Sequence, residues 1–185
     1  VDGKSMYDQF ALARAIQRYF GFKMHNQDTA ALATMAAGFM FAPGTAQSTS
    51  DILAFDPATY DTMETASLVH LDNFGFPFMK NEGASTEDFT SEVIKRMSTF
   101  FDRCHSVGFQ LNEVSVEEVA GFSSAAREEQ IRIISAISSR KFTFLGVEYT
   151  LNRTSTTAGD ANTKGVASKT MNKLRAVTAI TFNSN

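Results

Sequence analysis

The chain has one cysteine, three prolines and no tryptophan among 185 residues. One cysteine forbids an intrachain disulfide, and it excludes zinc sites built on several thiolates. No apolar run reaches the ~18 residues that a membrane-spanning helix requires. Charge is modest as well: 20% of residues are Asp, Glu, Lys or Arg, with a net of −3. The 43% hydrophobic share is enough for a packed core and argues against wholesale disorder. The sequence opens on Val1 with no signal-peptide pattern. With the lone cysteine, this favours a cytoplasmic or virion setting.

Catalytic motifs are equally sparse. There is no Gly-x-Ser-x-Gly elbow, no His-Glu-x-x-His and no Cys-x-x-Cys-His. The stretch Gly159–Gly165 has the glycines of a phosphate loop, but Lys164 precedes Gly165 where a phosphate loop needs Gly-Lys-Ser/Thr. Asn152-Arg153-Thr154 fits a glycosylation sequon, which matters only on a secretory route. His25 and Asp28, and Asp102 and His105, stand three apart. That spacing puts a carboxylate and an imidazole on one side of a helix, where they could share a metal. The fuller pattern of a di-metal bundle is missing, because Glu64 and His70 are six apart. Cys104 sits in an apolar stripe, which suits a small buried side chain. The sequence therefore points to no catalytic, cofactor-binding or metal-binding residue.

What the chain does have is phenylalanine, 17 of them against four tyrosines. Phe brings large buried area and no polar atom to satisfy. It also has an uneven charge. Residues 1–139 hold 10 Lys and Arg against 18 Asp and Glu, a net of −8. Residues 140–185 hold seven basic and two acidic residues, a net of +5. The basic ones are Arg140, Lys141, Arg153, Lys164, Lys169, Lys173 and Arg175, spread among Ser, Thr, Gly and Asn. The asymmetry divides the chain into an acidic body, 1–139, and a basic extension, 140–185.

Periodicity fills in the elements. Met6, Phe10, Ala13, Ile16 and Phe20 predict a helix over 5–20, ended by Gly21. Residues 28–42 predict a helix without charge after Asp28, a type usually central in a bundle or buried at an interface. Pro43-Gly44 would end it, and 44–51 would be an exposed loop. Asp56-Pro57 predicts another helix start, running to about Leu71. Phe74, Phe76 and Phe78 then fall around Gly75 and Pro77, on irregular backbone. Rings so placed either plug the core or anchor a partner. Residues 86–105 predict the strongest helix, with Ser85 or Thr86 as cap, a stripe of Phe89, Val93, Met97, Phe100 and Cys104, and Gly108 as stop. Short helix around 116–120 and a helix over 124–139 follow, the latter with Ile131, Ile134 and Ile137 inward and Ile133 to the side. From Arg140 the pattern alternates: 141–145 and 147–151 flank Gly146 as a hairpin, and 177–182 is a third strand candidate.

The fold expected is thus mainly α, a bundle of about five helices with a small antiparallel β element formed by the C-terminal quarter. The expected function is a non-enzymatic assembly subunit of a larger complex, such as a virion component. Its partner anchors would be Phe74, Phe76 and Phe78, and its basic arm would neutralise an acidic neighbour. Expected partners are further copies in a homo-oligomer or large assembly, with no membrane span. A nucleic-acid-binding module is the alternative, with Phe142, Phe144 and Tyr149 beside Arg140, Lys141 and Arg153. A metal-dependent helical enzyme using Asp102, His105, His25 and Glu64 is the third reading.

Overall fold

The computed structural model describes residues 1–26, 28–55, 67–78, 80 and 83–139, with the backbone of 141–144 and 147–150. The chain divides into two units, Val1–Ile137 and Ser138–Asn185. The described part is mainly α. In chain order it contains α1 (Arg14–Gln17), β1 (Gly21–Lys23), β2 (Thr29–Ala31), α2 (Ala42–Ala54), β3 (Leu68–His70), β4 (Asn73–Gly75), α3 (Thr86–Val107), α4 (Val116–Gly121) and α5 (Arg127–Ile137). In the second unit, β5 (Lys141–Phe144) pairs antiparallel with β6 (Val147–Thr150). Among the described residues, no helix is long and apolar enough to cross a membrane.

Helix α3 is the centre of the first unit. Ser85 caps it, its Oγ accepting from the Asp88 amide at 2.9 Å. Glu87 and Asp88 sit at the positive end of the dipole. Gly108, at φ 70°, closes it in the left-handed conformation that a side chain would strain. The expected stripe is buried at Val93, Met97, Phe100 and Cys104, and Phe101 joins it with no exposure at all. Phe100 and Phe101 stand 5.7 Å apart and link two groups of rings. Phe74 and Phe76 meet Phe100 at 5.0 and 4.8 Å, and Phe122 meets Phe101 edge-on at 4.9 Å.

Helix α4 starts on a capping box. Ser115 Oγ accepts from the Glu118 amide at 3.2 Å, and Glu118 Oε2 accepts from the Ser115 amide at 3.1 Å. In α5 the inward residue is Ile133, which is buried, while Ile131 is 40% exposed. The expectation had this pair reversed. Ile134 and Ile137 pack on the core's margin. A three-residue alternation of isoleucines leaves the helix phase open by one residue, and the docking of α5 on α3 selects it.

The N-terminal third departs furthest from the sequence reading. Instead of one helix over 5–20, a 3-10 turn (Met6–Gln9) precedes the single turn α1 and a second 3-10 turn (Arg18–Phe20). Ser5 is left-handed at φ 44° and makes no side-chain cap. Instead of a helix over 28–42, β2 pairs with β1, with Phe22 opposite Ala30. A segment that is apolar on every side carries no 3.6-residue stripe to hold it helical. The exposed loop expected at 44–51 lies inside α2. Pro43 stands in that helix's first turn, where a missing N–H costs nothing. Thr45 and Thr49 hydroxyls donate to the carbonyls of Phe41 and Thr45, so the polar side chains are satisfied along the helix itself. The expected helix from Asp56 lies mostly outside the described residues, and its end is strand β3, not helix. The third strand expected at 177–182 also lies outside them. Strand pairing therefore occurs in the middle of the chain, at β1–β2 and β3–β4, where none was expected.

Residues 1–4 lace the unit together. Gly3 donates to Asp72 O at 2.6 Å and Lys4 to Gln110 O at 2.9 Å. A Cβ at Gly3 would come within 2.9 Å of the Phe109 ring, so glycine lets this bridged segment lie close without displacing the ring. Two residues of α2 grip the β3–β4 turn. Leu71 donates from its amide to Gln47 Oε1 at 2.9 Å, and Ser50 Oγ donates to Leu71 O. Leu71 needs that grip, because it is held at φ 51°.

The phase of α5 is directly testable. Ile133→Ala should cost about 2–4 kcal/mol in urea unfolding, whereas Ile131→Ala should cost less than about 1 kcal/mol. Equal losses at the two positions would contradict the packing described.

Candidate functional site

The three Phe proposed as partner anchors divide by burial. Phe74 is only 3% exposed and sits in the core, ringed by Phe100 and Phe109 at 5.0 and 5.9 Å. It lies on β4 and has no face left to offer a partner, since pairing with β3 turns it inward. Phe76 and Phe78 are half-buried and pack against that same core. Of the basic residues, Arg140, Arg153, Lys164, Lys169, Lys173 and Arg175 lie outside the described residues. Lys141 opens β5, its backbone in register with Thr150. The next rungs pair Phe142 with Tyr149 and Phe144 with Val147.

Two arginines that the sequence did not single out converge on the end of α2. Arg96 is 7% exposed, donates to Ser67 Oγ at 2.6 Å and lies 5.8 Å from the centre of the Phe76 ring. Arg103 reaches the carbonyls of Ile52 and Leu53 at 3.5 and 3.3 Å. A cation there complements the negative end of α2. With Leu53, Phe76 and Thr99 they line a recess too shallow to enclose a small molecule. The arrangement serves to hold α2 against α3.

The titratable groups are spread out. Among the described residues, no three His, Cys, Asp or Glu side chains come together in a way that could hold a metal ion. His25, His70 and His105 are exposed. Asp102 Oδ1 accepts from Ser123 Oγ at 2.7 Å. Cys104 is fully buried, and burial pushes its thiol up to about 12. A thiol so protonated is a core side chain, not a nucleophile. Arg132 holds both Glu118 and Glu129 at 2.7 Å, which keeps both carboxyls below their usual range. Asp2 goes the other way. Burial, then the charges of Asp72 and Glu113, raise its carboxyl above the usual range, against an opposing pull from the Val1 ammonium and Asn112. Its Oδ1 is buried without a hydrogen-bond partner.

The feature with most functional content is an exposed apolar surface. Among the described residues of 11–41, Met35 alone is buried. Tyr19, Met40 and Phe41 are 72%, 78% and 61% exposed, and Phe22 and Met24 are about half exposed. Phe20, Phe39 and Phe41 meet edge to face at 5.2 and 5.6 Å, so the rings form a connected group. Large apolar side chains left open in one region make it a candidate interaction surface. The signal was present in the sequence as the uncharged stretch after Asp28, although the secondary structure expected there was wrong.

A comparison of the chain with family models, curated proteins and solved structures found no match.

Two outcomes follow from these environments. Asp2 is easier to protonate folded than unfolded, so its contribution to stability is present at low pH and is lost as pH rises through the raised value. Asp2→Asn should therefore raise the urea midpoint at neutral pH, with the gain vanishing below about pH 3.5, where the unfolded carboxyl is also protonated. A loss of stability at neutral pH would show that the carboxylate is favoured. Cys104 should not react with a thiol-specific disulfide reagent at pH 8 until the chain is unfolded in urea. Rapid labelling of the folded chain would contradict its burial.

Proposed function

We propose that this protein is a non-enzymatic assembly subunit of a larger complex, a virion component being the most concrete form. The observation that carries the reading is the open apolar segment at 11–41, where only Met35 is buried among the described residues. A segment that buries so little does not repay its ordering entropy alone and gains from being covered. In this reading the helices form a bundle-like body. The basic residues of the C-terminal quarter would meet an acidic neighbour, and Phe76 and Phe78, half-buried against the core, remain candidate anchors. The −8 body and +5 extension suit such an exchange between copies.

Size-exclusion chromatography with light scattering tests this. The chain should run as species larger than one copy, growing with concentration. A strict monomer at high concentration across a range of salt would overturn the proposal. If that monomer bound generic RNA with an affinity falling steeply as salt rises, the nucleic-acid module would replace it.

A further inference from the structure

The open apolar segment carries a charge of its own, opposite to that of the rest of the body. Residues 9–50 hold Arg14, Arg18 and Lys23 against the single carboxylate Asp28, a net of +2. Residues 51–139 hold six basic and 15 acidic residues, a net of −9. The cations are interleaved with the exposed apolar side chains. Arg18 lies 4.8 Å from the centre of the Tyr19 ring, and Lys23 is next to Phe22 on the exposed strand β1.

The acidic side has a matching face. Helices α4 and α5 each leave one large apolar residue open, Val116 at 51% and Ile131 at 40% exposure. Beside them stand the exposed carboxylates Glu117 and Glu128. Arg132 joins the two helices by holding Glu118 and Glu129, and its single positive charge offsets one of those two carboxylates. Glu117 and Glu128 keep their charges. A cationic, aromatic surface and an acidic, aliphatic surface on one chain are complementary between copies.

We propose that the α4–α5 face of a second copy docks on the 14–41 segment, head to tail. The inference rests on the assembly reading and specifies its interface. Tyr19, Phe22 and Phe41 are the anchors, and the Arg14, Arg18 and Lys23 rim sets the register against Glu117 and Glu128. Such a contact joins unlike surfaces, so it closes as a two-fold dimer only where both copies dock reciprocally, and otherwise builds rings or filaments.

The test is a charge swap on the full chain. One variant carries Arg14→Glu, Arg18→Glu and Lys23→Glu, and the other carries Glu117→Lys and Glu128→Lys. Each alone should associate at least about tenfold more weakly than wild type, and an equimolar mixture should recover association with one another. All five positions are exposed, so urea midpoints should stay close to wild type. Wild-type association should also weaken between about 50 and 500 mM salt, which tests the same charges without any variant. If wild type associates and both variants associate equally well at every salt, the interface lies elsewhere and the assembly reading survives. If both variants are weakened and the mixture does not recover, head-to-tail pairing is overturned. If wild type never associates, both readings fall. Vesicles containing phosphatidylserine, captured by that monomer through Arg14, Arg18 and Lys23, would assign the surface to a membrane instead.

Discussion

The first unit depends on one side-by-side pair of rings, Phe100 and Phe101 of α3. A helix turns by 100° per residue, so adjacent side chains face different directions. Phe100 faces β4 and the turn beyond it, where Phe74 and Phe76 wait. Phe101 faces the short helices after α3, where Phe122 meets it. One helix thus joins the strand side to the helical side through aromatic contacts. Phe101 and Phe122 have no exposure, so the contact on the helical side is closed to water.

Around that axis, short polar contacts place segments that have little secondary structure of their own. Residues 1–4 run between β4 and 110–112, and Gly3 permits the approach to Phe109. Gln47 and Ser50 hold Leu71 in a left-handed turn, and Arg103 holds the end of α2. These contacts explain why α2 is well packed although its sequence looks like a polar loop. They stop at α2. Upstream, 11–41 has hydrogen bonds of its own, such as Leu12 to Ala33 O at 2.8 Å and Met35 to Phe10 O at 2.9 Å, but almost no buried side chains. The body is closed by aromatic packing, whereas 11–41 holds mainly by backbone pairing and one partly open group of rings, so most of its apolar side chains stay exposed.

Legibility followed the strength of local signals. In α3 the cap, the acidic first turn, the apolar stripe and the stop glycine all agree, and the helix lies where those signals put it. The 28–42 segment offers only apolar residues without phase, and pairing with β1 took it. Pro43 is ambiguous by itself, because the same residue ends one helix and begins another. The candidate site was legible as composition only. The charge contrast and the uncharged stretch are visible in the residues, but the exposure of Tyr19, Met40 and Phe41 is not. Phe74 is the reverse case: an anchor by its neighbours Gly75 and Pro77, a core residue by its strand.

The residues alone therefore determined the long helix α3, the approximate positions of α4 and α5, the abundance of Phe and the division of charge, because each follows from spacing or counting along the chain. The tertiary structure decided which rings are core, which isoleucine of α5 points inward, and which apolar segment stays open. Those outcomes depend on which surfaces meet, and a ring has the same composition whether another ring covers it or not.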